Sequence, residues 1–309
     1  MGIEQELTHV TSQRETFLTV GIFDGVHAGH CHLIKRLNQR AQEKGLLSGV
    51  VTFNPHPQSV LQPHSRLPWL SSLEDRIKYL QGLGVDLVAV LSFTLEVARL
   101  DAREFVVLLK KYLKMSGLII GPDFALGKGR GGDANLLAAL GQEMEFSTEI
   151  APPFRVEGEI VSSSLIRQTL NQGDVIKVRK LMGRYFTLRA RVISTDKRGQ
   201  ALGFPTANLN IRSGQALPNR GVYGTITCVN NNRFASATNI GARPTFGGGG
   251  ETVETHLLDY RGDLYGKELE VKFVRKLRDE KRFASPEELK TQIKKDLGKI
   301  RILIARELK

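Results

Sequence analysis

Cysteine is scarce: Cys31 and Cys228 are the only two in 309 residues. Two isolated thiols support neither a disulfide framework nor a cysteine-based zinc site. A reducing cytoplasm is the expected setting. No stretch of about 18 apolar residues occurs, so no membrane-spanning helix and no membrane partner are expected. The opening MGIEQELTHVTSQRE is polar and partly acidic, unlike a secretory leader. Aromatic residues make up only 7% of the chain, with a single tryptophan. They are not interleaved with Lys and Arg in the strand-face pattern that stacks nucleic-acid bases, so no nucleic-acid partner is expected. The glycine-rich GPDFALGKGRGGD at 121–133 lacks the Gly-Lys-Ser/Thr ending of a P-loop, which excludes a Walker A site.

What is present fits a globular chain of about two domains. Hydrophobic residues account for 41% and charged residues for 25%, ordinary values for packed cores. Charge is uneven. Residues 1–183 hold 20 Lys and Arg against 19 Asp and Glu, whereas residues 184–309 hold 24 against 13. A basic second half suits anionic substrates. Oligomeric state leaves no signal at this level.

The first half alternates. Strand-like runs at 17–23, 49–53, 85–93 and 118–121 are separated by helical patterns at 33–44, from Ser72 and from Asp101. Ser72 has Asp75 three residues on, and Asp101 has Glu104, both capping-box-like starts. Strand and helix in alternation imply an α/β doubly wound, Rossmann-like parallel sheet, with ligands at the carboxyl ends of its strands. From Arg184 the texture changes to short strand-like runs at 186–194, 221–229, 233–240, 252–260 and 268–274, split by Gly, Pro and Asn. This predicts an antiparallel barrel or sandwich. A C-terminal helix opens at Ser285, with Pro286 at its first position and Glu288 completing a capping box. Its apolar stripe is Leu289, Ile293, Leu297, Ile300 and Ile304. The boundary is expected near Gly183, giving domains 1–183 and 184–309. The tract Gly247–Gly250 reads as a mobile loop and a lid over the second half's site.

The most informative run is GIFDGVHAGH at 21–30. A buried strand ends in the turn pair Asp24-Gly25, and His27 and His30 follow where a helix begins. Unpaired N–H groups and the positive end of the helix dipole suit a phosphate there. Imidazoles at that corner donate to phosphoryl oxygens, and Gly29 admits a ligand close to the backbone. Two histidines separated by two residues, the second of them glycine, resemble the signature of the nucleotidylyltransferase superfamily.

Three further segments bear on the same corner. VSSSLIR at 161–167 offers Ser162, Ser164 and Arg167, hydroxyls and a guanidinium suited to a triphosphate. Asp123 accepts from a ribose, a flavin or a positioned metal, and Phe124 packs on a planar ring. TFNPHP at 52–57 makes a rigid turn in which His56 reads as structural. In the second half, ALGFPTANL at 201–209 joins Gly203, which permits unusual backbone, to the oxygens of Thr206 and Asn208, hard donors suited to Mg²⁺ beside ATP phosphates.

Taken in order, these motifs resemble the bifunctional prokaryotic riboflavin kinase/FAD synthetase family over roughly residues 16–305. The resemblance extends through NRGVYGTI (219–226), ATNIGARPTFGG (237–248) and the long run at 253–283. It implies a six-stranded antiparallel barrel for the second half. It implies two reactions: riboflavin plus ATP giving FMN, then FMN plus ATP giving FAD and pyrophosphate. It puts Phe23, Gly25, His27, His30, Ser162, Ser164, Arg167 and Gly203 on ATP or its phosphates, with the two histidines catalytic. It puts Asp123, Phe124, Arg278 and Phe283 on the flavin, and Thr206 and Asn208 on Mg²⁺. It selects Glu254 as the base that takes the proton of the ribityl 5′-hydroxyl, the expectation being a mid-strand carboxylate buried for that task. An outward-facing Glu254, with Val253, Thr255 and Leu257 inside, is the competing pattern. Two other readings remain open at this level: a chain that keeps one activity only, and a basic RNA-binding barrel beside a nucleotide-sensing domain.

Overall fold

The structure, a computed structural model, describes residues 2–65, 67–196, 203–242 and 251–308. The tract Gly247–Gly250 lies outside the described residues. Contacts divide the chain into two compact units, Met1–Ser163 and Ser164–Lys309. The helix Val175–Met182, and the helix Ser163–Asn171 apart from its first residue, fall in the second unit. There the Asn219 N–H donates to Leu170 O at 2.9 Å. The change of texture at Gly183 therefore marks where the barrel strands begin, not where contacts divide.

The first unit holds five parallel strands: β1 (Thr16–Val20), β2 (Leu47–Asn54), β3 (Leu87–Ser92), β4 (Met115–Ile120) and β5 (Ser147–Ile150). Their order is β3-β2-β1-β4-β5. Every residue of β1 is buried, as befits a central strand covered on both faces. Leu18 and Val20 join Val51, Leu91 and Leu109 in one core, while Phe17 joins Ile34, Leu37 and Leu80 in the other. Helix starts follow the chemistry in the sequence. The Ser72 hydroxyl accepts from Asp75 N, and Asp101 and Glu104 form a reciprocal capping box. The strand β5 escapes sequence reading because STEI is short and only partly buried at a sheet edge. A small hairpin, β6 (Arg155–Val156) with β7 (Glu159–Ile160), completes the unit.

The second unit contains β8 (Thr187–Asp196), β9 (Thr206–Leu209), β10 (Gly221–Val229), β11 (Asn232–Ala242), β12 (Glu251–Leu257) and β13 (Glu268–Arg278). They close an antiparallel barrel in the order β10-β11-β12-β9-β8-β13, resolving barrel against sandwich. Asn230 and Asn231, at φ 48° and 64°, make the two-residue turn between β10 and β11, a conformation asparagine tolerates well. The interior mixes large side chains such as Tyr223, Phe186 and Phe273 with buried hydroxyls. Thr225 Oγ1 meets Ser236 Oγ at 2.8 Å and Thr238 Oγ1 at 2.7 Å, and Thr238 donates to Thr255 at 3.0 Å. These bonds meet the hydrogen-bonding demand of a polar core. Strand β12 stops at Leu257, short of the expected Tyr260, and Asp259 takes φ 61°.

The terminal helix, Pro286–Ala305, lies on the barrel's outer surface. The Ser285 hydroxyl caps Glu288 N, but the Glu288 carboxylate reaches back to Ala284 N, one residue beyond a standard capping box. Ile300 and Ile304 are fully buried against Ile226, Leu258 and Val274, each such side chain contributing roughly 1.5–3 kcal/mol.

Candidate active sites

In the first unit the sheet order reverses between β1 and β4, the crevice where open α/β sheets bind ligands. The chain leaves β1 at Val20 and turns sharply. Phe23, Gly25 and Val26 adopt φ 53°, 79° and 35°, which ends the strand three residues before the apolar pattern does. The Asp24 carboxylate, buried, accepts from Leu70 N and Ser71 N at 2.9 to 3.1 Å. Gly25 N donates to Ser71 Oγ at 2.9 Å. The Gly25 N–H thus braces the turn. A side chain there would also strike Leu70, with its first carbon 3.0 Å away.

The helix Ala28–Glu43 starts five residues earlier than its apolar spacing suggests, because His27 is its N-cap. His27 Nδ1 accepts from His30 N at 3.3 Å. A ring nitrogen that accepts carries no hydrogen, so Nε2 is the donor of the His27 ring. The two imidazoles stack at 3.6 Å between centroids and 13° between planes, and Phe23 sets its edge against His30 at 5.0 Å. Phe23, buried, therefore braces the second imidazole. A Cβ at Gly29 would sit 3.2 Å from the His27 ring and 3.3 Å from Val161 O, so glycine keeps this corner open. Beneath it, Arg76 donates to Thr52 Oγ1 and Phe53 O at 3.2 and 3.0 Å. Burial lowers the proton affinity of that guanidinium, and the Asp24 charge opposes the shift.

Two cavities open at this edge. One, about 340 Å³, is bounded by His27, His30, Phe154 and Ser162. The other, about 540 Å³, is lined by Phe53, Phe93, Phe105 and Leu126. Asp123 and Phe124 border both. Ser163 donates to Asp24 O at 3.0 Å and ties the turn to the segment 161–167. Ser164, exposed, and Arg167, half-buried, stand one turn apart on the helix Ser163–Asn171 and belong to the second unit. His56 caps the short helix Pro57–Leu61 through Nδ1, the structural role expected of it.

In the second unit, Val253, Thr255 and Leu257 face the barrel interior and are buried. Glu254 is half-buried and faces outward, so the expectation of a carboxylate sealed inside the strand's core face is corrected. Strand alternation forces this result. Outward does not mean into solvent: the terminal helix covers the barrel's outer wall, and Glu254 lines a cavity of about 400 Å³ between them.

Register gathers the residues of that wall. Asn208 pairs with Glu254, Glu254 with Asn239, Asn239 with Val222, and Val222 with Arg278. One row thus crosses five strands, from the residues expected on a metal to those expected on a flavin. Thr206 lines the cavity, and its Oγ1 is buried with no hydrogen-bond partner among the described residues. An orphaned hard oxygen beside a carboxylate and an amide fits a divalent cation. Gly203 takes φ 86°, an unusual backbone conformation of the kind that glycine permits. Arg278 lies over the Phe283 ring at 5.7 Å, and both line the cavity. Sequence reading missed His256, whose Nδ1 donates to Pro205 O at 2.7 Å, and Asn239. Nothing in the linear order of ATNIG signals that Asn239 stands opposite Glu254.

Stacked imidazoles at a Rossmann-like switch point and a carboxylate-lined groove on a closed barrel define a nucleotidyltransferase joined to a small-molecule kinase. A family model described as FAD synthetase matches residues 9–165, and one described as riboflavin kinase matches residues 182–304. The chain is 37% identical over 286 residues to the bifunctional riboflavin kinase/FMN adenylyltransferase of Escherichia coli, covering 92% of this chain and 91% of that one. It is 39% identical over 289 residues to the Pseudomonas fluorescens protein of the same description, covering 93% and 92%. A solved structure titled as a macrolide-efflux protein from Streptococcus pneumoniae superposes with a TM-score of 0.87 at 28% identity, covering 95% of this chain and 96% of that one. Among the described residues, no helix is long and apolar enough to cross a membrane. The chain belongs to the bifunctional riboflavin kinase/FMN adenylyltransferase family.

Proposed function

We propose that residues 184–309 transfer the γ-phosphoryl group of ATP to riboflavin, and that residues 1–183 join the resulting FMN to AMP from a second ATP, releasing pyrophosphate. In the first reaction Glu254 accepts the proton of the ribityl 5′-hydroxyl as its oxygen attacks phosphorus. Arg278 and Phe283 hold the flavin ring, and Gly203 lets the backbone approach ATP. Thr206 and Asn208 would hold Mg²⁺, which when bound neutralises charge on the phosphate oxygens.

In the second reaction the FMN phosphate attacks the α-phosphorus in line, and positioning with charge stabilisation is the whole task. His27, through Nε2, and His30 donate to the oxygens on which charge develops. Ser162, Ser164 and Arg167 bind the triphosphate. Phe124 stacks on the flavin in the aromatic cavity and Asp123 accepts from flavin or ribose at its mouth. The working compartment is the cytoplasm, where ATP and reduced thiols are abundant.

The observation that carries this reading is the presence of two chemically distinct cavities, one walled by stacked imidazoles and one by a carboxylate row, in separate units of one chain. Its test is a product analysis. Purified protein with riboflavin, ATP and Mg²⁺ is expected to yield FMN and then FAD on chromatography, and FMN with ATP to yield FAD directly. Unchanged riboflavin and unchanged FMN from folded protein refute it; FMN without FAD refutes the adenylyltransferase half alone.

A further inference from the structure

The terminal helix carries a charged residue in its apolar stripe. Asp296 shares the face of Leu289, Ile293 and Ile300, and only 3% of it is exposed. Its two oxygens are each taken: Oδ2 accepts from Arg278 Nε at 2.9 Å and Oδ1 from Gln292 Nε2 at 2.9 Å. A leucine at this position would avoid the desolvation of a carboxylate, and a buried ion pair seldom exceeds a well-packed apolar pair in stability. What such a pair supplies is orientation. Arg278 Nη1 also donates to Asp279 O at 3.1 Å, so the guanidinium is held at two points, through Nε and Nη1. Among the described residues no protein group takes its Nη2 hydrogens, and the residue lines the 400 Å³ cavity.

The row of registered neighbours sets the scale. From Glu254 to Arg278 there are three strand spacings across Asn239 and Val222, about 14 Å along the barrel wall. Glu254 and Arg278 both line the one cavity of about 400 Å³. A flavin whose 5′-hydroxyl lies at Glu254 then brings its ring to Arg278, and the ring's carbonyl oxygens are the acceptors that Nη2 can serve. The apolar lining around Arg278, from Val222, Phe283, Leu289 and Ile293, suits the rest of the ring. This argument rests on the kinase reading of the cavity.

We propose that Asp296 is a positioning residue for riboflavin: it holds the Arg278 guanidinium so that its outer edge meets the carbonyls of the flavin ring, and so links the terminal helix to substrate recognition. It touches no reacting atom. Its removal therefore acts on flavin affinity and leaves the chemical step and ATP binding in place.

The test uses the full-length protein and measures riboflavin phosphorylation with both substrates varied, alongside FMN adenylylation as an internal control. Asp296→Asn keeps the shape and removes the charge that fixes Arg278. It is expected to raise the KM for riboflavin by about tenfold, the order expected for a lost charge-assisted bond. The kcat at saturation, the KM for ATP and the adenylylation rate stay within about twofold of wild type, below the resolution of such partitions. Asp296→Glu restores most of the flavin affinity. Asp296→Leu in an Arg278→Leu background adds no further loss of it, because the guanidinium it served is gone. An unaltered riboflavin KM in Asp296→Asn overturns the proposal. So does a joint rise in both KM values with a lowered melting temperature, which marks a purely structural role. If Asp296→Leu does not fold, the Asp296→Asn and Asp296→Glu pair carries the test. Wild-type protein that leaves riboflavin untouched refutes the kinase reading instead, a result visible before any variant is made.

Discussion

His27 has two jobs that substitution can separate. Its Nδ1 caps the helix Ala28–Glu43 by accepting from His30 N, and its Nε2 is the donor that the proposed adenylyl transfer uses. The cap distance of 3.3 Å is long, so the lower part of the usual capping range applies, about 0.5–1 kcal/mol. For a unit of this size that is a fall of roughly 1–4 °C in melting temperature. The second job is worth far more to the reaction: removing one donor from developing charge costs about 10²–10³-fold in kcat. His27→Ala loses both. His27→Asn keeps a short side-chain oxygen for His30 N and restores the stability, but its reach is too short to restore the rate. The assay is FAD formation from FMN and ATP, followed by chromatography, with FMN formation from riboflavin as the control that the second unit is intact. The reasoning is refuted if His27→Asn recovers FAD formation, or if His27→Ala makes FAD at the wild-type rate. Equal loss of both activities in either variant also refutes it, since the two chemistries would then not be separable.

Further expectations follow from the second unit. Glu254→Gln is expected to lower FMN formation by about 10²–10⁴-fold, the range for loss of a general base, while FAD formation from supplied FMN persists. Thr206→Val removes a buried hydroxyl that has no partner among the described residues. Its melting temperature is therefore expected to hold or rise slightly, whereas riboflavin phosphorylation falls and requires more Mg²⁺; a stability loss without a kinetic effect would show that the hydroxyl has a protein partner instead. Glu307 is held below its ordinary value of 4.5 by the Tyr185 hydroxyl, with burial opposing and Arg179 assisting. Tyr185 is pushed up to about 12 by its burial and by that same hydrogen bond. A depressed carboxylate contributes stability that is fully present above 4.5 and lost as pH falls through the folded value. Unfolding midpoints of Glu307→Gln should thus depend less on pH below 4.5 than those of wild type, and parallel profiles would remove this clasp from the account.

Much of the fold is written in local pattern. The alternation of buried runs with capped helices required a parallel sheet, and Ser72, Asp101 and Ser285 marked helix starts that hydrogen bonds bear out. Local signals failed where geometry is set by partners. The edge strand β5 has no apolar period to read. The end of β1 depends on Asp24 being gripped by the backbone of Leu70 and Ser71, a contact across 46 residues. The resemblance put Gly25 on ATP or its phosphates; what the sequence did not show is that its N–H donates to Ser71 Oγ.

The candidate sites divide in the same way. The residue types, their order and the kinds of chemistry they allow were decided by the sequence alone: paired imidazoles at a helix start, hard oxygens two residues apart, a carboxylate in a strand. Which atoms meet was decided by tertiary structure, because strand register and barrel closure are cooperative outcomes of the whole core. Period two could say that Glu254 opposes Val253 across the strand, but not which face would be covered. The terminal helix made that choice by burying Ile300 and Ile304 on the barrel's outer wall, turning an outward carboxylate into the lining of a cavity and carrying Asp296 to Arg278.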